Sequence, residues 1–377
     1  GKANQYVLRG MNLDHGTDFA TTIDGVPVNL PTHAHGQGYS DLNFLIPELV
    51  SRVDYRKGPY FASEGDFSSA GSARFVYRTR LERPLAELSV GPQGYARALV
   101  AGSKAVGDGV TLLMAAERLN NDGPWTVPEG LRKTNAQFVL SGGSAREGWS
   151  TSLSAYGAHW RSTDQVPARL IGQQVAPGQV FGRFDSLDPS DGASTRRSSL
   201  SGRWYQSSDR EKTQVNWYLI RYDLDLFSNF TYSLDRASDQ FAQTDRRTVL
   251  GGSIAHSWFS APEDSRPVRN TLGLALRQDR VQAALFDTLA RQIQATVRDD
   301  GIRQTQLGLY AENETTWSPW LRSVIGLRAD QFSAQVQSFT QALNSGVASA
   351  GVGAAALAAA RAWSGSGFSS PAATSAS

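Results

Sequence analysis

The 377 residues include no cysteine, which excludes disulfide staples, thiolate metal sites and thiol nucleophiles. That absence leaves the compartment open. No run approaches the roughly 18 to 20 consecutive apolar residues of a membrane helix, so any crossing of a bilayer must be made by strands. Neither sign of charge dominates: 37 Lys and Arg against 35 Asp and Glu give a formal net charge of +2, and no nucleic-acid partner is expected. Gly1 follows no charged region with an apolar stretch, so an export signal is expected to lie outside this sequence. Also missing are Gly-x-Ser-x-Gly, His-Glu-x-x-His and the phosphate loop Gly-x-x-x-x-Gly-Lys. Neither enzymatic activity nor a cofactor is expected.

What the chain does contain is a repeat of strand-like segments. Thr213 to Leu226 (TQVNWYLIRYDLDL) places Val215, Trp217 and Leu219 at one parity and Tyr218, Ile220, Tyr222, Leu224 and Leu226 at the other. Segments of about 8 to 11 residues recur at Gln137 to Ser144, Ser150 to Trp160, Ser198 to Tyr205, Val249 to Trp258, Asn270 to Leu276, Gln304 to Glu312 and Leu321 to Asp330, parted by Gly, Asp, Ser, Pro or Asn clusters. Such a pattern predicts an antiparallel sheet or barrel. Segments near ten residues suit a tilted bilayer crossing, and the 9 Trp and 12 Tyr gather toward segment ends, where aromatic girdles lie. A large soluble all-β domain is the alternative that the pattern leaves open. On the barrel reading, Asp223 and Asp225 share a face expected to be the lumen, while His159 and His256 take girdle or lumen positions.

Three regions depart from this rhythm. Residues 1 to about 75 are dense in Gly, Pro and Asp, with short extended runs at Gln5 to Arg9, Thr21 to Ile23 and Arg52 to Tyr55 and a helical candidate at Leu42 to Val50 broken by Pro47. They predict a compact mixed α/β unit. Ala283 to Arg298 (AALFDTLARQIQATVR) spaces Leu285, Leu289, Ile293 and Val297 by four and predicts a helix within a long loop. The tail from Ala342 to Ser377 is rich in Ala, Ser and Gly and is expected to be loosely ordered.

Three of the five histidines fall early, His15 alone and His33 and His35 within LPTHAHGQGYSDLNF (Leu30 to Phe44). On an extended segment His33 and His35 point to one face. With Asp41 or His15 nearby they are candidate ligands for Zn, Cu or Ni, although a metal site needs three or four ligands. A ligand-facing loop and an ordinary turn are the other readings.

The order of motifs here resembles a known family. YVLRGMN (Tyr6 to Asn12), TTIDGVPVNLP (Thr21 to Pro31) and DLNFLIPELVSRVDYRKGPYFASEGDFSSAG (Asp41 to Gly71) are similar to the second half of the plug domain of TonB-dependent outer-membrane receptors. LFSNFTYSLDRASDQFAQTDRRT (Leu226 to Thr248) and QLGLYAENETTWSPWLRSVIGLRAD (Gln306 to Asp330) resemble barrel strands of that family, and the likeness lapses after about Phe339. Arg-Lys-Gly-Pro replaces the usual Arg-Gly-Pro, and SSAGSARFVY stands where Gly-Gly-x-Ile-x-Ile is usual.

The resemblance implies a mainly β fold: a small mixed α/β plug over residues 1–75, a partial antiparallel transmembrane β-barrel over 76–340, and a tail over 341–377. At roughly 20 residues per strand with its connection, 76–340 would supply about 13 strands, roughly half of the 22 in such plugged barrels. The TonB box and early plug strands would lie outside this sequence. Long insertions such as Arg161 to Arg197 would be extracellular and short turns periplasmic. Gly10, Gly25 and Gly58 are expected at strand ends that need positive φ, and Arg9 and Arg56 look like plug arginines that pair with barrel carboxylates. The loop would face incoming ligand through Asp14, His15, His33, His35, Gln37, Tyr39 and Asp41. Function by resemblance is import of a scarce ligand, foremost a ferric siderophore or other metal chelate, across the bacterial outer membrane. TonB with its inner-membrane complex would supply energy, and outer-membrane lipid would surround the barrel. The alternatives are cobalamin, free metal or oligosaccharide as cargo, or a passive barrel or adhesin without energy coupling.

Overall fold

The structure, a computed structural model, describes residues 3–161, 166–229, 239–261 and 264–340. The expected loose tail lies outside the described residues. The N-terminal part contains β1 (Tyr6–Leu8), β2 (Met11–Leu13), β3 (Phe19–Ile23), β4 (Val26–Pro27), β5 (Val50–Arg56) and β6 (Gly71–Tyr77). β1 and β2 form a hairpin, and the other four make a mixed sheet in the order β4-β3-β6-β5, with β3 and β6 parallel. Where a helix was expected across Leu42 to Val50, only a 3-10 turn forms, Pro47–Leu49. Pro47 supplies no backbone donor and its fixed φ suits a first turn, not a helix interior.

The rest is one long antiparallel meander: β7 (Leu85–Val90), β8 (Ala96–Gly107), β9 (Val110–Asn121), β10 (Leu131–Gly143), β11 (Glu147–Arg161), then a small hairpin of β12 (Gln174–Ala176) and β13 (Gln179–Val180), then β14 (Gly192–Ser207), β15 (Glu211–Ser228), β16 (Phe241–Phe259), β17 (Val268–Leu289), β18 (Gln292–Ser318) and β19 (Leu321–Ser338). Eleven of these pair in chain order, β7 to β11 and β14 to β19, as a partial barrel. Among the described residues there are eleven, not about 13, because the strands are longer than the 8 to 11 residues expected: β18 alone has 27 residues. β7 to β9 had no counterpart in the sequence reading, because runs such as ARALVAGSKAVG are Ala and Gly rich and carry little strand propensity.

The helix expected over Ala283 to Arg298 is absent; the segment is the tip of the β17–β18 hairpin. Its four-residue spacing is also two strand periods, so Leu285 and Leu289 keep one parity on β17, while across the turn Ile293 pairs with Thr288. Ala290 (φ 49°) and Arg291 (φ 69°) turn the chain in two residues, with the positive φ of a type I′ turn but without its usual Asn or Gly.

Connections alternate in length. One end of the sheet carries short turns such as Ser208–Arg210, and the other carries the long insertion before β14. The plug lies against the concave face. Its Ile23, Val28, Ile46, Leu49 and Tyr77 pack with Leu99, Leu113 and Val139 of the wall, and Leu30 and Tyr39 pack with Tyr156, Trp160, Tyr222 and Leu224. Contacts reach strands near both edges, from Arg97 on β8 to Arg328 on β19, so the sheet wraps around the plug. The core is this interface. On β15 the buried side chains are Tyr218, Ile220, Tyr222, Leu224 and Leu226. Asp223 and Asp225 therefore face outward, not toward the lumen, and there Arg246 meets them at 3.6 and 2.5 Å. His256 also lies on the outer face, hydrogen-bonded with Thr213 at 2.8 Å and edge-on to Trp258 near the short turns.

Candidate functional site

The loop that holds His33 and His35 is closed at its neck by pairing of Leu30 with Tyr39. Inside the neck, Asn29 accepts the Thr21 amide at 2.7 Å and donates to the carbonyls of Gly16 and Phe19 at 2.9 and 3.0 Å. Gly38 (φ 67°) passes so close to Thr17 that a Cβ would stand 2.7 Å from its Cα, so only glycine fits. Gly10, Gly25 and Gly58 also have positive φ, as expected.

His33 is buried. Its ring stacks on Tyr39 with centroids 3.9 Å apart, Nδ1 accepts the His35 amide at 3.2 Å, and Nε2 lies 3.2 Å from the Tyr222 hydroxyl. An accepting Nδ1 fixes the proton on Nε2, which donates to Tyr222. Both nitrogens are thus engaged, and among the described residues no group of three or more His, Asp or Glu could hold a metal. With both nitrogens engaged, His33 braces the loop. His35 Nδ1 donates to Gln243 Oε1 at 3.1 Å, and its ring meets His15 edge-on at 5.0 Å. Gln37 is exposed at the loop crest, whereas Tyr39 and Asp41 are buried. Asp41 accepts from Asn43 through the amide at 2.8 Å and the side chain at 2.7 Å. Asp14 opens a 3-10 turn, and its side chain lies outside those described.

Burial holds the His33 imidazole well below its usual pKa, helped by the Arg247 charge and by His35. Burial also raises the Asp41 carboxyl. The signs differ. For His33 the unfolded chain binds the extra proton, so stability should fall as pH drops below about 6.5, at up to about 1.4 kcal/mol per pH unit. Asp41 acts oppositely, adding stability at acid pH that is lost as pH rises above its unfolded value near 3.8. Denaturation between pH 7.5 and 5 should show the His33 slope, and His33→Gln should flatten it; an unchanged slope in the variant would refute the assignment.

The wall grips this loop through its main chain. On β16, Arg247 makes a two-pronged pair with Asp245 (both 2.7 Å) and reaches Asp279 of β17 at 3.3 Å. Arg277 makes a second two-pronged pair with Asp279, at 2.7 and 3.0 Å. From this ladder Arg247 donates to the Thr32 carbonyl at 2.5 Å, Arg277 donates to the Asn29 carbonyl at 2.8 Å, and Asp245 accepts the Ala34 amide at 3.2 Å. Gln243 adds a bond to the Ala34 carbonyl at 2.8 Å, and Gln304 bonds the Thr32 hydroxyl.

Smaller contacts hold the rest of the plug. Glu48 pairs doubly with Arg97 at 2.7 and 2.9 Å, Asp24 sits 3.7 Å from Arg203, and the Ala62 peptide group spans Glu312 and Arg328 at 3.1 and 3.2 Å. Arg9 and Arg56, the expected anchors, contact the plug itself in the described residues: Arg9 donates to the Lys57 carbonyl at 3.1 Å, and Arg56 pairs with Glu64 at 2.9 Å over the Phe61 ring. Among the described residues the wall-to-plug ion pairs are Glu48–Arg97 and Asp24–Arg203. Sequence reasoning missed the ladder, although Asp245-x-Arg247 and Arg277-x-Asp279 each place opposite charges on one strand face.

Between the plug and β15 to β19 lies a cavity of about 1120 Å³. Its lining mixes Arg74, Arg247, Arg277 and Arg328 with Glu64 and Asp245, and the loop enters it through His33 and Gln37.

A small mixed sheet seated within a partial antiparallel barrel defines a plugged-barrel protein. Residues 1–72 match the family model described as TonB-dependent Receptor Plug Domain. The fold of the chain is similar to that of the ferric citrate transporter FecA in the unliganded form (TM-score 0.71, 13% identity, covering 89% of this chain and 51% of that one). It is also similar to the ferric-catecholate import receptor Fiu from E. coli K12 (TM-score 0.66, 12% identity, 89% and 56%) and to the siderophore receptor PiuA from Acinetobacter baumannii (0.68, 12%, 91% and 54%). The chain spans about half the length of each.

Proposed function

We propose that this chain belongs to an energy-coupled import receptor of the bacterial outer membrane, with residues 1–75 as plug and 76–340 as wall, that takes up a ferric siderophore or other metal chelate. The observation that carries the reading is the mode of plug attachment. The plug is a separate sheet held partly by charged and polar contacts that water can replace, so a pull from TonB could release it without unfolding the wall. Buried ion pairs gain little net stability over hydrated ones, which suits a seat that must open and close. The cavity exceeds the ~300 to 1,000 Å³ of ordinary small-molecule pockets and is lined by polar and charged groups. His15, His35 and Gln37 are the loop residues placed to meet cargo, with His33, Tyr39 and Asp41 supporting them from beneath. Similar structures are named for ferric citrate, ferric catecholate, siderophores and copper, which favours a metal or metal-chelate cargo over cobalamin or oligosaccharide.

Growth of a strain lacking the gene on single ferric chelates, copper, cobalamin or oligosaccharide tests this. We expect loss of growth on one ferric chelate, reproduced by removal of TonB. Growth unchanged on every source would overturn the proposal, and loss that is indifferent to TonB would establish a passive barrel.

A further inference from the structure

We propose that the outer face of β15 to β18, at the border nearest the long connections, binds the phosphate groups of an anionic lipid headgroup. The inference rests on the reading of the wall as membrane-spanning and goes beyond it. Outward side chains on these strands change character along their length. Trp217, Leu219, Leu250, Leu274, Leu276 and Leu309 are 41–58% exposed and form an apolar band. One step beyond, toward the long connections, comes a single cross-strand row: Arg221 pairs with Thr248, Thr248 with Arg280, and Arg280 with Arg303.

Arg280 and Arg303 stand directly opposite each other. Like charges so placed destabilise a sheet unless an anion lies between them. Among the described residues neither has a hydrogen bond or ion pair, whereas nearby acids are occupied: Asp223 and Asp225 by Arg246, and Asp299 by the Gln282 amide at 3.1 and 3.2 Å. The row also lines a groove of about 680 Å³, which Arg221, Arg246, Arg280 and Arg303 share with Thr248 and Gln335. Guanidinium forks match phosphate oxygens, and hydroxyl and amide groups complete the coordination. The apolar band beneath would receive the acyl chains of the same molecule. A free phosphate would share the headgroup chemistry but gain nothing from the band, which is why the lipid is the occupant assigned.

The test has two stages. First, the full chain is mixed with phosphatidylcholine vesicles and floated; failure to float would refute the membrane reading itself. Second, the detergent-solubilised chain is offered equal phosphatidylglycerol and phosphatidylcholine, and retained lipid is counted by native mass spectrometry. We expect about a tenfold or greater preference for phosphatidylglycerol, abolished by Arg280→Gln with Arg303→Gln and kept by Arg146→Gln with Arg210→Gln, an equal charge change at the opposite end. Persistence in the first variant, or equal loss in the second, would overturn the site. Displacement of the lipid by millimolar inorganic phosphate would show an anion site only and would also overturn it.

Discussion

Asp279→Ala is expected to destabilise the protein by about 3–5 kcal/mol, the cost typical of removing one partner from a buried ion pair. Asp279 is the shared member of the ladder, accepting from both Arg247 and Arg277, and these three side chains are 0–9% exposed. Without it Arg277 keeps the Asn29 carbonyl, and its charge has lost its carboxylate. Urea denaturation followed by tryptophan fluorescence measures the loss. A companion variant, Arg247→Met with Arg277→Leu, Asp245→Leu and Asp279→Leu, should recover only part of it: apolar groups replace buried ions at little cost, but the Asn29 and Thr32 carbonyls and the Ala34 amide lose their partners. A loss under about 1 kcal/mol for the single change would contradict a dry, mutually dependent ladder.

Tyr39→Ala carries the second large effect, again about 3–5 kcal/mol by the scale for buried aromatic truncations. Tyr39 has no exposed surface, stacks on His33 and packs against Tyr222, so its removal opens a void at the seam of plug and wall. Two readouts should move together: protease cleavage within residues 31–38 should accelerate, and the acid sensitivity assigned to His33 should shrink as water reaches the imidazole. Faster cleavage with the acid slope intact would mean that the stack does not keep His33 neutral.

The sequence made the wall legible where aromatic and branched residues alternate, as from Thr213 to Leu226, and left it unread where Ala and Gly fill the strands of β8. Ala283 to Arg298 misled because a spacing of four satisfies both helix and strand, and only the pairing of Leu289 with Gln292 decides. The loop lies between the Asp-Gly-x-Pro strand and Ile46-Pro47, and its histidines stand out as rare ligating side chains. Their actual partners, Tyr222 and Gln243, lie some two hundred residues away. The ladder was unreadable for the same reason: Asp245, Arg247, Arg277 and Asp279 become one network only once the register of β16 on β17 is fixed, with Arg247 opposite Val281.

Much of the wall's hold on the plug loop falls on peptide groups: the carbonyls of Asn29, Thr32 and Ala34 and the amide of Ala34. Every amino acid except proline offers the same pair of groups. The crest of the loop is therefore interchangeable in a way its neck is not: descendants of one gene could swap His35 or Gln37 for unrelated side chains and retain those main-chain bonds. If the crest meets cargo as proposed, seating and cargo preference are written in different alphabets, one in the backbone and one in the side chains, and the second can change while the first is kept.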